Sequence, residues 1–510
     1  MKIKETYFTM SDGVRLYTRI ILPEENKKFP IVFIRTPYDQ VRNGEPYPED
    51  EYKDEQFFIK NGYAIVLQHT RGKGDSEGVC MPYCERQDGL ETLELIRKLP
   101  FYNGEIYLYG ASYLSTVHLC YISTKPKDIK AAALDVQLDN MYLKTYRNGC
   151  CYRFANPNWW MSMVKRQYPD QNNISEALIR PYYKIAERVL GEDLPGYTKL
   201  LLNPEYNDFW KSQENNNAVN NISFPVLLSE GWYDFYITGM FTMWDRLPAE
   251  TKEKSIFVAG PWGHATKVKD SEYPFENGNL PDDYVVKFFN SVRDNEKYEY
   301  LECGKVNYYS VGGNFWTTDD CQTKNMKLYF NDDNTLNEKS YKKGEKTYIY
   351  DPDKPLNFYK CENIFKAPDK NTSDGVLSFE SEPFKKDTDF YGKINWNMKV
   401  KTDCEDTAFF MRVYFVEDGI AYNLTETITT LSHINKNYVP GEECVVNIST
   451  SPIGFTIKEG NSIRVDISSH SDMYAPHSNT KGHWAKVTET KIAKNTVICD
   501  ENAWIELPVV

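Results

Sequence analysis

The sequence predicts an α/β fold that carries a helical insertion and is followed by a β-sandwich. Strands alternate with helices from about residue 5 to residue 135 and again from about residue 226 to residue 310. Such alternation is typical of a mainly parallel sheet. Beyond about residue 319 the chain instead alternates apolar and polar residues over short segments with few helices between them, as half-buried strands do.

The first α/β segment is expected to begin with a hairpin that turns at Asp12-Gly13. Its predicted strands span residues 5–9, 14–22, 31–35, 63–68, 106–109 and 131–135, and its predicted helices span residues 86–99 and 113–122. The second segment is expected to hold strands at residues 226–228, 256–259 and 306–310 and a helix at residues 284–293. Residues 326–330, 407–413 and 462–467 are the clearest strands of the sandwich.

Ser112 lies at the turn between the predicted strand 106–109 and the predicted helix 113–122, in the sequence Gly110-Ala111-Ser112-Tyr113. A serine hydroxyl becomes a nucleophile only when a tight turn exposes it and a base lies within hydrogen-bond reach. The same turn aims the backbone N–H of Tyr113 at an oxyanion formed beside Ser112. Leu114 stands where the usual five-residue motif has glycine, and an ordinary turn with a polar residue at the helix start is the alternative interpretation.

Two further reactive side chains follow buried-type strands. Asp234 comes after the strand 226–228, and His264, one of only 7 histidines, comes after the strand 256–259. Taken singly, each residue has an ordinary structural interpretation. Asp234 could be a turn residue or a helix cap, and His264 could be a loop residue hydrogen-bonded to the backbone. Together with Ser112 they lie at carboxyl ends of strands in the order Ser, Asp, His, which is the order of the α/β-hydrolase triad.

Ser112 and Asp234 are 122 positions apart, far more than a short connection in a compact sheet requires. The intervening residues are polar and aromatic with helical spacing, for example in a predicted helix at 175–190. We therefore expect a helical cap over the site. The expected organisation is an α/β core at residues 1–139 and 222–319, a helical cap at residues 140–221, and a β-sandwich at residues 320–510.

Several motifs in one order resemble a known family of serine hydrolases, which includes cocaine esterase, the α-amino-acid ester hydrolases, glutaryl-cephalosporin acylases and X-prolyl dipeptidyl aminopeptidases. The motifs are Met10-Ser11-Asp12-Gly13, Arg35-Thr36-Pro37-Tyr38, Arg71-Gly72 with Ser76-Glu77-Gly78, Glu85 with Asp88-Gly89, Gly110-Ala111-Ser112-Tyr113, Gly231-Trp232-Tyr233-Asp234 and Gly260-Pro261-Trp262-Gly263-His264. The resemblance runs nearly end to end and implies an α/β-hydrolase core with a jelly-roll C-terminal domain.

Carried over by position, the resemblance implies that Ser112 is the nucleophile, His264 the general acid and base, and Asp234 the carboxylate that orients the imidazole. It also implies that the Tyr38 hydroxyl shares the oxyanion hole with the backbone N–H of Tyr113. A neutral phenol at a strand end can donate to an alkoxide, although Tyr38 also reads as a buried tyrosine that closes the strand.

Two positions depart from the family pattern. Ser115 occupies the place of a glycine three residues after the nucleophile, and its small side chain is expected to leave the turn intact. His69 stands where the family has aspartate. We expect His69 to be a structural residue of the core, with an effect on the hydrogen bonds behind the site as the alternative.

Aromatic residues of the cap are candidates for an acyl pocket. Trp159 and Trp160 lie in the insertion, and Tyr236 lies two residues beyond Asp234. Large rigid rings suit an aromatic or bulky apolar acyl group. Packing within the cap is the alternative for each of them.

Composition excludes several classes. The net charge of −13 with no basic cluster disfavours nucleic acid, and no run of about 18 apolar residues suits a membrane span. No signal peptide is visible at the start, and the 11 cysteines are odd in number and dispersed, as in reduced cytoplasmic proteins. We expect no metal and no cofactor, a small ester or amide as partner, and leave a homo-oligomer open.

The sequence is compatible with three functions. The favoured one is hydrolysis of an ester or amide of a small acyl compound. The second is an X-prolyl dipeptidyl peptidase, although family members of that type are larger and have an extra N-terminal region. The third is an inert binding protein that uses its β-sandwich.

Overall fold

The computed structural model describes residues 2–38, 41–42, 45–46, 55–152, 157–165, 179–354, 363–370 and 373–510. Within these ranges, fourteen strands precede the β-rich part. They are β1 Lys2–Thr9, β2 Arg15–Leu22, β3 Phe29–Thr36, β4 Val41–Arg42, β5 Glu45–Pro46, β6 Ala64–His69, β7 Tyr102–Ala111, β8 Ile129–Asp135, β9 Tyr146–Arg147, β10 Cys150–Cys151, β11 Val226–Gly231, β12 Ile256–Gly260, β13 Val306–Ser310 and β14 Phe315–Thr318.

The helices of the described chain lie almost entirely in its first 300 residues. They are α1 Glu55–Lys60, α2 Arg86–Ile96, α3 Tyr113–Ile122, α4 Met141–Thr145, α5 Pro157–Lys165, α6 Ile185–Leu190, α7 Pro195–Leu201, α8 Asp208–Lys211, α9 Ile237–Asp245, α10 Ala249–Lys252, α11 Tyr284–Asp294 and α12 Leu431–Ile434. Every strand and helix predicted for the two α/β segments is present, with ends shifted by a few residues.

Ten strands form one sheet in the order β1-β2-β6-β3-β7-β8-β11-β12-β13-β14. The seven strands from β6 to β13 run parallel. At the edges, β2 runs antiparallel to β6, β1 runs antiparallel to β2, and β14 runs antiparallel to β13. Hydrophobic side chains pack on both faces, which explains why strands such as β3 are buried along their whole length. The carboxyl ends of β7, β11 and β12 therefore meet at one edge of the sheet.

The inserted segment contains short helices and also a small hairpin of β9 and β10, which sequence reasoning did not predict. The predicted helix 175–190 is confirmed only at its C-terminal end, as α6, and residues 175–178 lie outside the described residues. A 3₁₀ turn at Tyr182–Lys184 precedes α6, because the extended backbone of Pro181 and the steric effect of its ring prevent a continuous helix.

The described residues of the β-rich part form thirteen strands in one mostly antiparallel sheet system. They are β15 Lys324–Phe330, β16 Thr335–Asn337, β17 Gly344–Tyr350, β18 Leu377–Ser381, β19 Thr388–Gly392, β20 Asn395–Thr402, β21 Ala408–Glu417, β22 Ile420–Thr430, β23 Cys444–Ser449, β24 Ile453–Ile457, β25 Ser462–Ser468, β26 Ala493–Cys499 and β27 Trp504–Val509. This confirms the strands predicted from the two-residue periodicity.

Backbone and ring contacts join the β-rich part to the α/β sheet. Val311, just after β13, accepts the N–H of Thr456 at 2.8 Å and donates its own N–H to Gly454 at 3.0 Å. The ring of Tyr308 stacks on Tyr391 with a centroid distance of 4.3 Å. The two parts therefore share one hydrophobic cluster.

A buried carboxyl group supports the turn that carries Ser112. Glu85, directly before α2, accepts a hydrogen bond of 2.6 Å from the Tyr113 hydroxyl, and the Tyr113 oxygen accepts the backbone N–H of Tyr83 at 2.6 Å. Burial raises the pKa of Glu85 to about 7, although Tyr113 and Arg35 act in the opposite direction. The carboxyl therefore titrates near neutral pH.

Glu85 predicts a pH-dependent stability. Its pKa is higher in the folded chain than its ordinary value of 4.5, so the folded state holds the proton more tightly and the free energy of unfolding falls as pH rises from about 4.5 to about 7. Glu85→Gln removes this titration. We expect the unfolding curves of the two proteins to differ in pH dependence by on the order of 3 kcal/mol between pH 4.5 and 7.

Thermal unfolding at several pH values measures this difference. Glu94→Gln, which changes an exposed carboxylate of α2, is the control and should follow the unmodified protein. Parallel pH profiles for Glu85→Gln and the unmodified protein would contradict the prediction.

Candidate active site

Ser112 occupies a strained turn between β7 and α3. Its φ of 55° and ψ of −126° are unfavourable for a residue with a side chain and expose the hydroxyl above the sheet edge. The Ser112 N–H donates to the carbonyl of Asp135 at 2.9 Å. A Cβ on Gly110 would lie 2.5 Å from the backbone of Leu114, so the turn requires glycine at that position.

Ser115 and His69, the two residues that depart from the family pattern, both make contacts that support the structure. The Ser115 hydroxyl donates to the carbonyl of Gly110 at 2.5 Å and lies 3.2 Å from that of Asp135, which ties the helix start to the strand ends. His69 is buried at the end of β6, where its ring lies 4.9 Å from Tyr17 and its Nδ1 accepts the N–H of Asp75 at 3.3 Å. Both residues have structural contacts.

The structure brings Ser112, His264 and Asp234 together in a hydrogen-bonded series. Ser112 Oγ lies 2.8 Å from His264 Nε2, and His264 Nδ1 lies 2.7 Å from Asp234 Oδ2. The Asp234 side chain is fully buried, whereas that of His264 is 25% exposed. A carboxylate next to Nδ1 favours the tautomer with the proton on Nδ1, which leaves Nε2 free to accept the serine proton.

Local backbone geometry fixes the Asp234 carboxylate. Its second oxygen, Oδ1, accepts the N–H of Tyr236 at 3.0 Å. A Cβ on Gly231 would lie 2.1 Å from the carbonyl oxygen of Trp262, so glycine lets the Asp234 loop approach the His264 loop. Phe235 stacks on the imidazole with ring centroids 5.6 Å apart. Contacts within and between the two loops therefore fix the positions of the Asp234 and His264 side chains.

Glu230, a buried residue of β11, lies next to Asp234 and was missed by sequence reasoning. Its Oε1 accepts the N–H of Gly231 at 2.9 Å. Burial and the charge of Asp234 raise the pKa of Glu230 well above its ordinary value. This shift favours the neutral carboxyl, which has a proton to donate toward Asp234. A charged residue within an otherwise apolar strand was the available signal.

The candidate oxyanion donors lie at the same edge. Tyr113 is the first residue of α3, so its backbone N–H belongs to the helix start, where no carbonyl of the helix can accept it. Tyr38 follows β3, donates its N–H to the Thr36 hydroxyl at 3.2 Å, and packs against the same cluster as the Tyr113 ring. The oxyanion role of both residues stays a prediction.

The three aromatic candidates for the acyl pocket separate in the structure. Tyr236 contacts the His264 ring edge-on at 5.5 Å, and Trp159 contacts the Tyr113 ring at 5.3 Å. Trp160 is almost fully buried and packs against Tyr197 of α7. Trp159 and Tyr236 thus border the catalytic groups, whereas Trp160 belongs to the core of the cap.

Lys144 of α4 lies between Trp159 and Tyr236, and sequence reasoning missed it. Helix α4 begins at an Asn140 cap, whose side chain accepts the N–H groups of Tyr142 and Leu143. This places Lys144 Nζ 4.8 Å from the ring centre of Tyr236. No motif marks Lys144, because a lysine in a short helix usually faces solvent.

The described residues were also compared with the requirements of a metal site, a membrane-spanning helix and a disulfide bond. The described histidine, cysteine, aspartate and glutamate residues form no group of three or more that could hold a metal ion. Within the same residues, no helix combines the length and hydrophobicity that crossing a bilayer requires. All ten cysteines that the structure describes are free thiols.

Comparison with known proteins identifies matches along most of the chain. The family model described as X-Pro dipeptidyl-peptidase (S15 family) matches residues 12–266, and the model for the X-Pro dipeptidyl-peptidase C-terminal non-catalytic domain matches residues 305–504. Cocaine esterase of Rhodococcus sp. (strain MB1 Bresler) is 22% identical over 535 residues, which cover 93% of this chain and 92% of that protein.

Solved structures with the same fold cover the whole chain. An aminopeptidase from a marine sediment archaeon, Thaumarchaeota archaeon, superposes with a TM-score of 0.83 at 19% identity and covers 100% of this chain and 96% of its own. An α-amino acid ester hydrolase superposes with a TM-score of 0.82 at 18% identity with the same coverage. The predicted fold class is confirmed, while the exact domain boundaries stay a prediction.

The two family models together span most of the described structure, from the α/β sheet to the β-rich part. The chain therefore belongs to the X-Pro dipeptidyl-peptidase (S15) family and is a serine hydrolase with an α/β-hydrolase core and a C-terminal β-rich domain.

Proposed function

We propose that this serine hydrolase cleaves an ester or amide of a small acyl compound through a covalent acyl-enzyme on Ser112. The observation that carries the proposal is the pair of hydrogen bonds, 2.8 Å and 2.7 Å, that link Ser112 to His264 and His264 to Asp234. These contacts give the hydroxyl a base and give the base an orienting carboxylate. They also disfavour an inert binding protein.

The proposed reaction follows from these contacts. Ser112 Oγ attacks the carbonyl carbon while His264 Nε2 takes the hydroxyl proton. The carbonyl oxygen becomes an oxyanion that Tyr38 and the Tyr113 N–H stabilise. His264 then gives the proton to the leaving alcohol or amine, and Asp234 stabilises the transient imidazolium. Water, activated by the same imidazole, attacks the acyl-enzyme and releases the acid.

An X-Pro dipeptidyl peptidase is the second candidate, because the family model is described by that activity. Such a substrate presents a free N-terminal ammonium group. Among the described residues beside the catalytic groups is Lys144, whose protonated form would repel an ammonium. This electrostatic argument favours the ester or amide of an acyl group without a positive charge.

A direct comparison of substrates tests the proposal. We expect a p-nitrophenyl ester of a short fatty acid to be hydrolysed with a much higher kcat/KM than Ala-Pro-p-nitroanilide. The opposite ranking would replace the proposed function by the dipeptidyl peptidase. Hydrolysis of neither compound, together with no fluorophosphonate labelling, would contradict both.

Ser112→Ala removes the proposed nucleophile. We expect it to abolish covalent labelling by a fluorophosphonate and to abolish ester hydrolysis, because it removes the hydroxyl on which the acyl-enzyme forms. Gel fluorescence and mass spectrometry measure the labelling. Ser123→Ala, at the other end of α3, is the matched control and should label normally. Labelling of the Ser112→Ala variant at the normal rate would contradict the assignment.

Tyr38→Phe removes the proposed side-chain oxyanion donor while keeping the ring. We expect kcat to fall by roughly 10²–10³-fold with little change in KM, as for loss of one such donor. Steady-state kinetics with an aryl ester measure kcat and KM separately. Tyr206→Phe, at an exposed position of the cap, is the control. A kcat within a few-fold of the unmodified enzyme would exclude Tyr38 from the oxyanion hole.

Glu230→Gln tests whether Glu230 acts as a neutral hydrogen-bond donor to Asp234. The amide keeps a donor for Asp234 and an acceptor for the Gly231 N–H, so we expect kcat/KM within a few-fold of the unmodified enzyme and an unmoved acid limb of its pH profile. If Glu230 were ionised, loss of its charge would move the acid limb to lower pH. Glu230→Ala, which removes the donor, should lower kcat.

A further inference from the structure

Glu85 contacts both of the segments that carry the candidate oxyanion donors. Its carboxyl group binds Tyr113, whose backbone N–H is one donor, and its backbone carbonyl binds Arg35, three residues before the other donor, Tyr38. We propose that Glu85 is a positioning residue that holds the two donors at the spacing that an oxyanion requires. This inference rests on the proposed hydrolase function and adds a residue on which its rate depends.

The carboxyl group of Glu85 fixes the start of α3. The Tyr113 hydroxyl donates to Glu85 Oε1 at 2.6 Å and accepts the backbone N–H of Tyr83 at 2.6 Å. The other carboxyl oxygen, Oε2, accepts the thiol proton of Cys120 at a sulfur–oxygen distance of 3.6 Å. Cys120 lies about two turns after Tyr113 on the same helix. Both oxygens of one carboxyl group therefore bind the helix whose first N–H is the donor.

The backbone of Glu85 contacts the segment of the other donor. Arg35 donates from Nη1 to the Glu85 carbonyl at 3.2 Å and from Nε to Gln68 Oε1 at 3.1 Å. Thr92 of α2 donates to the same Gln68 oxygen at 3.0 Å. The end of β3 is therefore tied to α2 at two points, and Tyr38 follows that strand end by two residues.

Burial makes these contacts costly to lose. Glu85 is 5% exposed, Tyr113 1% and Arg35 0%. Because water does not reach these groups, a lost hydrogen bond is not replaced, and the side chains keep one arrangement. Burial also raises the pKa of Glu85 to about 7, against the effects of Tyr113 and Arg35. Glutamine therefore has the shape and the hydrogen-bonding groups of the neutral form of this residue.

Glu85 has one competing role, which is to stabilise the packing of α2 against α3 with no effect on the donors. The two roles differ in the kinetics of the folded enzyme. The oxyanion forms only after attack on the carbonyl carbon, so misplaced donors lower kcat and leave KM nearly unchanged. They also weaken an inhibitor that mimics the tetrahedral intermediate. A role in packing alone lowers the melting temperature and leaves these kinetic constants unchanged.

The experiment compares Glu85→Ala and Glu85→Gln with the unmodified enzyme. A p-nitrophenyl ester of a short fatty acid gives kcat and KM, and inhibition by butylboronic acid gives Ki. Boron forms a bond to Ser112 Oγ and becomes tetrahedral, so one boronate oxygen takes the place of the oxyanion. For Glu85→Ala we expect kcat to fall roughly 10–100-fold, Ki to rise by a similar factor and KM to change little. Glu85→Gln keeps an acceptor for the Tyr113 hydroxyl and should restore most of kcat.

Asp128→Ala is the matched control. Asp128 also accepts a tyrosine hydroxyl, that of Tyr102 at 2.7 Å, but this pair lies where β7 and β8 begin, at the end of the sheet opposite the site. We expect Asp128→Ala to lower the melting temperature, because it removes a comparable contact, and to leave kcat and the boronate Ki unchanged.

Tyr113→Phe removes the same hydrogen bond from its other side. It should lower kcat and weaken butylboronic acid together, and the double variant with Glu85→Ala should lose no more than Glu85→Ala alone, since both substitutions break one contact. A Glu85→Ala enzyme with normal kcat and Ki would overturn the inference in favour of the packing role. If Glu85→Ala does not fold, normal kcat and Ki in Tyr113→Phe overturn it. An unmodified enzyme that hydrolyses no ester and does not react with a fluorophosphonate would instead overturn the proposed function itself.

Discussion

The hydrogen bond between His264 Nδ1 and the buried Asp234 carboxylate is the interaction on which the rest of the site depends. It fixes the tautomer and the direction of the imidazole, and only then does Nε2 face the Ser112 hydroxyl. The geometry behind it is built into the sheet, because β7, β11 and β12 end at the same edge. Gly231 allows the two loops to meet there without a clash.

A second layer of buried polar groups supports this contact. Glu85 holds the Tyr113 ring behind the nucleophile turn, and Glu230 lies behind Asp234. Burial raises the pKa of both carboxyl groups, which favours their neutral forms. Beside the catalytic groups, Lys144 lies among three aromatic rings.

The parts of the structure that local sequence patterns encode could be predicted from the sequence. The strand-turn-helix at Ser112 and the strand ends before Asp234 and His264 are short-range signals, and their convergence follows from parallel-sheet topology. The helices of the cap were harder to predict from the sequence, because they are short and because a proline interrupts the predicted helix 175–190. The surroundings of Lys144 and Glu230 depend on residues distant in the sequence, so spacing alone could not reveal them.

A crystal structure of the enzyme after reaction with a fluorophosphonate would show the triad and the oxyanion donors around a bound phosphoryl group. We predict phosphorus bonded to Ser112 Oγ and a phosphoryl oxygen within hydrogen-bond distance of the Tyr38 hydroxyl and the Tyr113 backbone nitrogen. We also predict that His264 keeps its contact with Asp234. An adduct on another residue, or a phosphoryl oxygen with neither donor in reach, would exclude these assignments.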